Sequence, residues 1–596
     1  MAAATTLDRE ALRARYLAER DKRLRPDGND QYLRLPDAYL DDPYMPVTER
    51  DPLTDHVTVA LVGGGFAGLI TGAYLKEAGV EDVRIVEKAG DFGGTWYWNR
   101  YPGAQCDTAS FVYMPLLEET GHVPTEKYAH APEILEHSQR IGKQFGLYDH
   151  ALFHTEVNDL AWDEKHSRWI VRTNRGDAFT AQYLAIGTGP LHVPKLPGLE
   201  GIDDFEGHAF HTSRWDYDYT GGDAAGARME KLADKRVGII GTGATAVQCV
   251  PHLARACSEL YVFQRTPSSV DVRGNLPTDM AWFEREVQGP GWQEKWLDNF
   301  ARNQTMSRVK EDLVQDGWTE LAGRFRKRIR KLPPWKLTPK NMLAAFEDLD
   351  DEKMNEIRAR ADEIVDDGET AENLKAWYRQ LCKRPCFHDE YLQAYNEPRT
   401  TLVDTNGKGV ERITPKGVVA NGREYELDCI IYGTGFEVGT DMTERNGFDL
   451  TGRGGRKLSE EWADGMETLH GTHVHGLPNL FILGAFQAGA LISNVPHNFV
   501  ESGRTIAMMV RHAAEGGFQE IEVTQKAQDD WIAVLRKSRG NMIGALSECT
   551  PGYYNNVGQP GGLGEVLVGY PKGPVKYFKY LKKWRESGKF KGIEFR

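Results

Sequence analysis

Val57-Thr-Val-Ala-Leu-Val-Gly-Gly-Gly-Phe-Ala-Gly68 carries a short, apolar, β-branched run straight into Gly63-x-Gly65-x-x-Gly68. Such a run, bounded by a glycine turn, predicts a strand buried on both faces, as in a parallel sheet. A helical pattern follows through Glu77, and then a second strand, Val83-Arg-Ile-Val-Glu87. Glycines at these three positions permit a tight turn, close approach of backbone to a pyrophosphate, and close packing of helix on strand. The helix N-terminus then offers free N–H groups to phosphate oxygens. Glu87 closes the second strand, nineteen residues after Gly68, where an acid accepts hydrogen bonds from ribose hydroxyls. A lone glycine triplet is weak evidence. Strand, turn, helix, strand and acid in this order predict dinucleotide binding.

A second copy lies about 180 residues on, at Arg236-Val-Gly-Ile-Ile-Gly-Thr-Gly-Ala-Thr-Ala246. Its turn is Gly241-Thr242-Gly243-Ala244-Thr245-Ala246, and its second strand is Leu260-Tyr-Val-Phe-Gln-Arg265. Here the strand ends in a cation, Arg265, with Thr266 beside it. An acid at this position suits a free 2′-hydroxyl, and a cation suits a 2′-phosphate. The pair of turns therefore predicts FAD (or NAD) in the first site and NADPH in the second. Tyr183-Leu-Ala-Ile-Gly-Thr-Gly189 and Cys429-Ile-Ile-Tyr-Gly-Thr-Gly-Phe436 are further apolar strands ending in Gly-Thr-Gly, suited to passing close to a cofactor or linking domains. The second lies beyond the NADPH unit, which predicts that the NADPH domain is inserted into a discontinuous FAD domain.

The rest of the chain excludes several classes. Its 596 residues suggest two to four domains, and 40% hydrophobic with 27% charged residues is an ordinary globular balance. A net charge of −14 argues against a general nucleic-acid binder. Residues 8–30 read as a charged amphipathic helix rather than an apolar signal core, and no run of about 18 apolar residues predicts a membrane span. Seven scattered cysteines, without CxxC pairs, predict reduced thiols in a cytoplasmic protein, with neither a metal site nor a disulfide framework.

Three further segments narrow the chemistry. Phe205-Glu-Gly207-His-Ala-Phe-His211-Thr-Ser-Arg-Trp215-Asp216 has the form FxGxxxHxxxW[PD]. Gly93-Gly94-Thr95-Trp96-Tyr-Trp-Asn-Arg-Tyr-Pro-Gly-Ala-Gln-Cys-Asp107 fits GGxWxxxx[FY]P[GM]xxxD at every specified position. Cys382-Lys383-Arg384-Pro-Cys, followed by Tyr391 and Tyr395, adds a Lys-Arg pair well beyond the NADPH turn. In these segments the chain resembles the Baeyer–Villiger monooxygenases, over roughly residues 50–500. It departs from them at Gln105, where the family often has Arg, and at Ala109, where it often has Glu. The segment Glu548-Cys-Thr-Pro-Gly-Tyr-Tyr-Asn-Asn556 replaces the Trp-containing loop of the smaller ketone monooxygenases. With the fifty-residue N-terminal extension, it is more similar to the long members that take large-ring or polycyclic ketones.

The resemblance implies an α/β fold with two Rossmann-like domains and a helical insertion. It divides the chain into an N-terminal extension (1–50), an FAD domain begun at 51–195, and an NADPH domain begun at 196–275. A helical insertion (276–375), a second NADPH segment with the catalytic arginine (376–395), and the remaining FAD and C-terminal segment (396–596) follow. It implies that Gly94, Thr95, Trp96, Asp107, Tyr113 and Val157 join Gly63, Gly65, Gly68 and Glu87 around FAD, and that Lys383 joins Arg265 on the NADPH 2′-phosphate. Phe205, Gly207, His211 and Trp215 would belong to a linker coupling NADPH binding to domain movement, with no acid–base work for His211. The implied reaction inserts one oxygen atom from O2 beside a ketone carbonyl, through a flavin C4a-peroxide, with NADPH as reductant. Arg384 would supply fixed positive charge to that reaction, and Asp107 would hold Arg384.

Between residues 275 and 380 the chain turns charged and helical, with Trp282, Trp292, Trp296, Trp318 and Trp335 spaced through it as candidate core residues. The nearest competing activity is a flavin N- or S-monooxygenase, which usually has Phe or Tyr where Trp215 stands. A disulfide-reductase-like enzyme would need a CxxxxC pair after the first turn, where Cys106 stands alone. A flavin redox sensor without turnover would have no use for Asp107 and Arg384.

Overall fold

A computed structural model of the chain describes residues 8–33, 41–484, 494–537, 546–559 and 569–596. The first sheet is built on the strand His56–Val62, which pairs in parallel with Val83–Val86 on one side and Ala178–Ile186 on the other. Ala178–Ile186 continues as an antiparallel meander through Arg168–Thr173 and Val157–Asp163, and Leu480–Ile482 returns in parallel beside it. The helix Phe66–Glu77 covers one face, with the helix Val495–Gly516 so close that Gly503 lies against Thr71 and Tyr74.

The second sheet is wholly parallel, in the order Thr400–Asp404, Glu259–Gln264, Arg236–Ile240, Cys429–Tyr432, His208–His211. Every residue of Cys429-Ile-Ile-Tyr432 is buried, which explains its unbroken apolar reading. This sheet moves one predicted boundary. Strands Thr400–Asp404 and Cys429–Tyr432 join the sheet of the second glycine turn and not that of the first, which resumes later at strands Leu450–Thr451 and Leu480–Ile482. Strand alternation could not reveal this, because sheet membership is decided by which neighbour a buried strand pairs with.

The two Gly-Thr-Gly segments divide between the sheets. A Cβ on Gly63, whose φ is +109°, would stand 2.6 Å from the Gly187 carbonyl oxygen, and a Cβ on Gly241, φ +115°, would stand 2.4 Å from that of Gly433. Each nucleotide turn therefore abuts its own Gly-Thr-Gly strand end, and only glycine accommodates both the conformation and the approach.

The charged stretch after residue 275 is helical, as expected, with helices Trp292–Gln304, Gly317–Ile329 and Pro339–Ile364. It braces both units. Trp282, Trp292 and Trp296 surround Phe111 with ring centroids 5.1–6.3 Å away, whereas Lys353 and Arg360 bind Asp271 and the Val270 and His388 carbonyls. Trp335 is 78% exposed and belongs to no core.

The expectation of reduced, unpaired cysteines fails at one pair. Cys382 and Cys549 form a disulfide across 167 residues, a separation that no local spacing rule detects. The other five cysteines are free and buried. Among the described residues no helix is long and apolar enough to cross a membrane, and no cluster of ligands fits a metal ion.

Candidate active site

The first glycine turn opens onto a cavity of about 630 Å³, lined on that side by Gly63, Gly65, Glu87, Gly94, Thr95, Trp96 and Tyr113. Gly65 precedes the helix Phe66–Glu77 without capping it by a side chain, so the helix amides are left for a ligand. Gly94, at φ +53°, sits so close to Gly65 that an added Cβ would lie 2.7 Å from the Gly65 Cα. Gly68 is not on the cavity; its Cβ would meet the Gly63 carbonyl at 2.0 Å, so it serves helix–turn packing. The buried carboxylate of Glu87 accepts from the Gly64 and Ala89 amides at 2.5 and 2.8 Å. Burial raises its pKa, against those two hydrogen bonds. Trp96 Nε1 donates to the Tyr113 hydroxyl at 3.0 Å, fixing both rings on the wall. Val157 is buried in the hydrophobic core with Val57, Val62 and Val86, and its neighbour Glu156 lines the cavity instead. A cradle made of glycine backbone, an uncapped helix start, a ribose-type acid and an aromatic wall fits a flavin dinucleotide.

Arg384 lines the same cavity. Its Nη1 and Nη2 donate to the two oxygens of Asp107, each at 2.7 Å. Asp107 is buried, and Arg384 keeps 32% of its side chain exposed. Burial disfavours the guanidinium charge, but the Asp107 charge and hydrogen bonds outweigh it and hold the pKa well above its usual value. A planar fork on a carboxylate fixes direction as well as charge.

Sequence reasoning missed several residues around this pair. Trp318 Nε1 donates to the Asp107 carbonyl at 2.9 Å, and its ring centroid lies 5.7 Å from the Arg384 guanidinium. Tryptophan spacing alone cannot separate such a residue from the core set. Tyr553 and Tyr554 line the same cavity, on a loop anchored through Cys549 to Cys382, two residues before Arg384. Gln105, the departure noted above, is hydrogen-bonded to the buried guanidinium of Arg273. The positive charge absent at position 105 is thus supplied next to it from the segment that follows the strand Val270–Asp271. Gln248, on the helix after the second turn, donates to the Gln105 carbonyl and accepts from Tyr101, coupling the two nucleotide units.

The second turn has the same form. Gly243 starts the helix Ala244–Ala256 with no side-chain cap and nothing within 4 Å of a Cβ. Thr242 Oγ1 donates to the Thr266 carbonyl at 2.7 Å, and Ala246 is buried. Arg265 follows, and Lys383, partly buried, has no acidic partner among the described residues. Desolvation, then Arg265 and Arg23, lowers the Lys383 amine to about 8. Uncompensated cations beside an open helix start fit a phosphorylated nucleotide.

The linker residues lie elsewhere. Trp215 is fully buried in the core of the second unit, where its Nε1 donates to Thr220 at 3.1 Å and its amide to the Tyr44 hydroxyl at 3.2 Å. His211 is buried and lowered to about 3 by desolvation, chiefly, with Arg214 adding to it, so it stays neutral. Gly207 has the Phe205 ring 2.4 Å from where a Cβ would be.

Residues 60–280 match the pyridine nucleotide-disulphide oxidoreductase family, although the first unit has no CxxxxC pair and burial, chiefly, pushes the Cys106 thiol to about 12. Pentalenolactone D synthase of Streptomyces arenae is 49% identical, covering 99% of this chain and all of that one. A Baeyer–Villiger monooxygenase of Streptomyces coelicolor is 47% identical over 98% of both chains. The polycyclic ketone monooxygenase from the thermophilic fungus Thermothelomyces thermophila superposes with a TM-score of 0.91, at 37% identity, over 98% of this chain and 99% of that one. A complex of OTEMO with FAD and NADP superposes with a TM-score of 0.73, at 25% identity, over 92% of this chain and 100% of that one.

Proposed function

The chain belongs to the Baeyer–Villiger monooxygenases, and from that premise we propose that it inserts oxygen beside the carbonyl of a bulky, polycyclic ketone. It is an oxidoreductase that uses FAD and NADPH. The flavin, reduced by NADPH, supplies the activation of O2; the protein supplies placement, charge and exclusion of water. Gly63, Gly65, Glu87, Gly94, Thr95 and Trp96 are assigned to hold FAD, and Gly241, Gly243, Arg265, Thr266 and Lys383 to hold NADPH. Arg384 acts as a fixed cation, stabilising negative charge that develops on oxygen as the ketone carbonyl is attacked. Asp107 is a positioning residue. It aims the guanidinium and balances its charge between turnovers, while Trp318 holds the Asp107 backbone.

The observation that carries this reading is the bidentate Arg384–Asp107 pair, whose arginine lines the same cavity as the first nucleotide cradle. The substrate class is supported by the likeness to a polycyclic ketone monooxygenase. Dependence on NADPH suits the cytoplasm, where that reductant is regenerated. The test is a panel of cyclic and polycyclic ketones, each scored for ester or lactone by mass spectrometry, with NADPH and O2 consumption followed together. Product should appear in one-to-one ratio with NADPH for the larger ketones. NADPH consumption that yields only hydrogen peroxide with every ketone would overturn the substrate assignment.

A further inference from the structure

We infer that the N-terminal extension completes the nucleotide 2′-phosphate site, with Arg23 as a third cation beside Arg265 and Lys383. The inference rests on assigning the second glycine turn to NADPH. The helix Arg9–Asp21 ends one residue before Lys22, and the chain then presents Arg23, which is buried to 7% exposure. Arg23 Nε donates to the Arg265 carbonyl at 3.0 Å, placing its guanidinium at the end of the strand where a 2′-phosphate is recognised. Further along, Gln31 Oε1 accepts from Arg265 Nη1 at 2.6 Å, and the Tyr32 hydroxyl lies 3.4 Å from Nη2. The extension therefore both aims Arg265 and adds charge beside it.

Arg23 shares one carboxylate, whereas Arg265 and Lys383 have none among the described residues. Arg23 Nη1 is held by Glu19, at 2.7 Å from its carbonyl and 2.6 Å from its carboxylate. Glu19 is shared with Lys22, at 2.7 Å. One carboxylate thus serves both Lys22 and Arg23, and neither Arg265 nor Lys383 has an ion pair among the described residues. Burying like charges together is unfavourable unless an anion joins them. A cavity of about 170 Å³ opens beside Arg23 and Thr266, with Arg15, Lys22 and Lys375 set against Glu19, Glu372 and Asp404 in its lining. A phosphate dianion supplies the missing negative charge, and a guanidinium from a pre-folded segment binds it with little ordering cost.

The test is equilibrium binding of NADP+ and NAD+ to the FAD-loaded full-length protein by calorimetry, which does not depend on turnover. Arg23→Gln keeps a donor but not the charge, and should weaken NADP+ about tenfold while leaving NAD+ within twofold. Arg23→Lys keeps the charge without the Nε contact, and should retain most of the discrimination. Glu19→Gln removes the partial neutralisation and should tighten NADP+ alone by a few fold. Equal losses for both nucleotides in Arg23→Gln and Arg23→Lys would make Arg23 a structural tie and overturn the inference, as would unchanged NADP+ affinity in Arg23→Gln. Should Arg23→Gln not fold, unchanged binding in Glu19→Gln overturns it. Lys383→Ala is the control. If it too fails to separate NADP+ from NAD+, the assignment of the second site fails, and not merely the part of Arg23 in it.

Discussion

Arg384 and Asp107, 277 residues apart in sequence, meet as a parallel fork in which each terminal guanidinium nitrogen lies 2.7 Å from its own carboxylate oxygen. The carboxylate is almost wholly buried and the guanidinium one-third exposed toward the cavity. One partner is thus fixed within the protein while the other presents charge to whatever occupies the cavity. Asp107→Asn keeps the shape and one acceptor but removes the counter-charge and half of the fork. Ester formation should fall about ten- to a hundredfold with FAD content unchanged, because removing one partner of a buried pair commonly costs several kcal/mol, part of it recovered through the remaining acceptor. Equal turnover in Asp107→Asn would deny Asp107 its positioning role.

Trp318 tests whether that fork is itself held. Its Nε1 donates to the Asp107 carbonyl at 2.9 Å. Trp318→Phe keeps much of the ring over Arg384 and loses the donor. The expected loss is roughly 0.5–1.5 kcal/mol, the net worth of a neutral hydrogen bond, hence a fall in kcat of up to about tenfold. KM for NADPH should stay unchanged. A shift confined to that KM would instead place Trp318 in nucleotide binding.

The Lys383 amine, lowered to about 8 by desolvation and then by Arg265 and Arg23, gives nucleotide binding a pH dependence. The ammonium is present below pH 8 and is lost as pH rises through it, so the free protein binds a phosphate less well on the alkaline side. Binding the dianion raises the pKa and takes up a proton. The Kd for NADP+ should therefore rise between pH 7.5 and 9.5, with a limiting slope of about tenfold per unit, and the Kd for NAD+ should stay flat. Lys383→Met should abolish the difference. Parallel pH profiles for the two nucleotides would contradict it.

Trp215 is the fingerprint residue whose place in the structure is core rather than site. With its ring fully buried and its Nε1 on Thr220, Trp215→Ala should cost about 3–5 kcal/mol of stability in the second unit. Differential scanning calorimetry should show an earlier transition, while FAD remains bound to the first. Trp215→Phe should lose less, about the hydrogen bond and part of the contact area. An unshifted transition in Trp215→Ala would separate the two units less cleanly than their sheets suggest.

Much of this was legible in residues, and what was not has identifiable causes. The two turns announced their strands because buried parallel strands need continuous apolar runs and glycines have few substitutes where φ is +109° or +115°. Cys429–Tyr432 read correctly as a strand, but its sheet could not be read, since any buried parallel strand carries the same pattern. Arg384, Asp107 and their association came from the family resemblance, and only the bidentate geometry needed the fold. Trp318, Tyr553 and Arg273 were illegible for a different reason: their roles come from long-range contacts that leave no periodic mark. The Cys382–Cys549 link is the extreme case, with neither partner in a motif of paired cysteines.

Arg384 carries the functional reading most directly, through a charge that Asp107 fixes in place. Its guanidinium stays protonated at every pH the protein survives, because Asp107 holds its pKa well above the usual value despite burial; activity should therefore show no titration of this group. Arg384→Ala should purify yellow, since the glycine cradle and the Glu87 carboxylate are held by backbone contacts that do not involve Arg384. It should still be reduced by NADPH, more slowly if the nicotinamide is misplaced. Ester should be lost, because Lys88 and Arg445, which also line the cavity, are not held by the Asp107 fork. Losing one preorganised electrostatic contact typically costs about 10²–10³ in rate, and Asp107 left unpaired in the same region adds like-charge repulsion. Arg384→Ala combined with Asp107→Ala should relieve that repulsion and recover some stability without recovering ester. Arg384→Lys keeps a charge but cannot span both Asp107 oxygens, so it should restore little. Stopped-flow absorbance separates flavin reduction from reaction with O2, and mass spectrometry scores the product. Near-normal ester formation by Arg384→Ala would remove the fork from the reaction and leave it a structural ion pair between the first unit and the segment after the insertion.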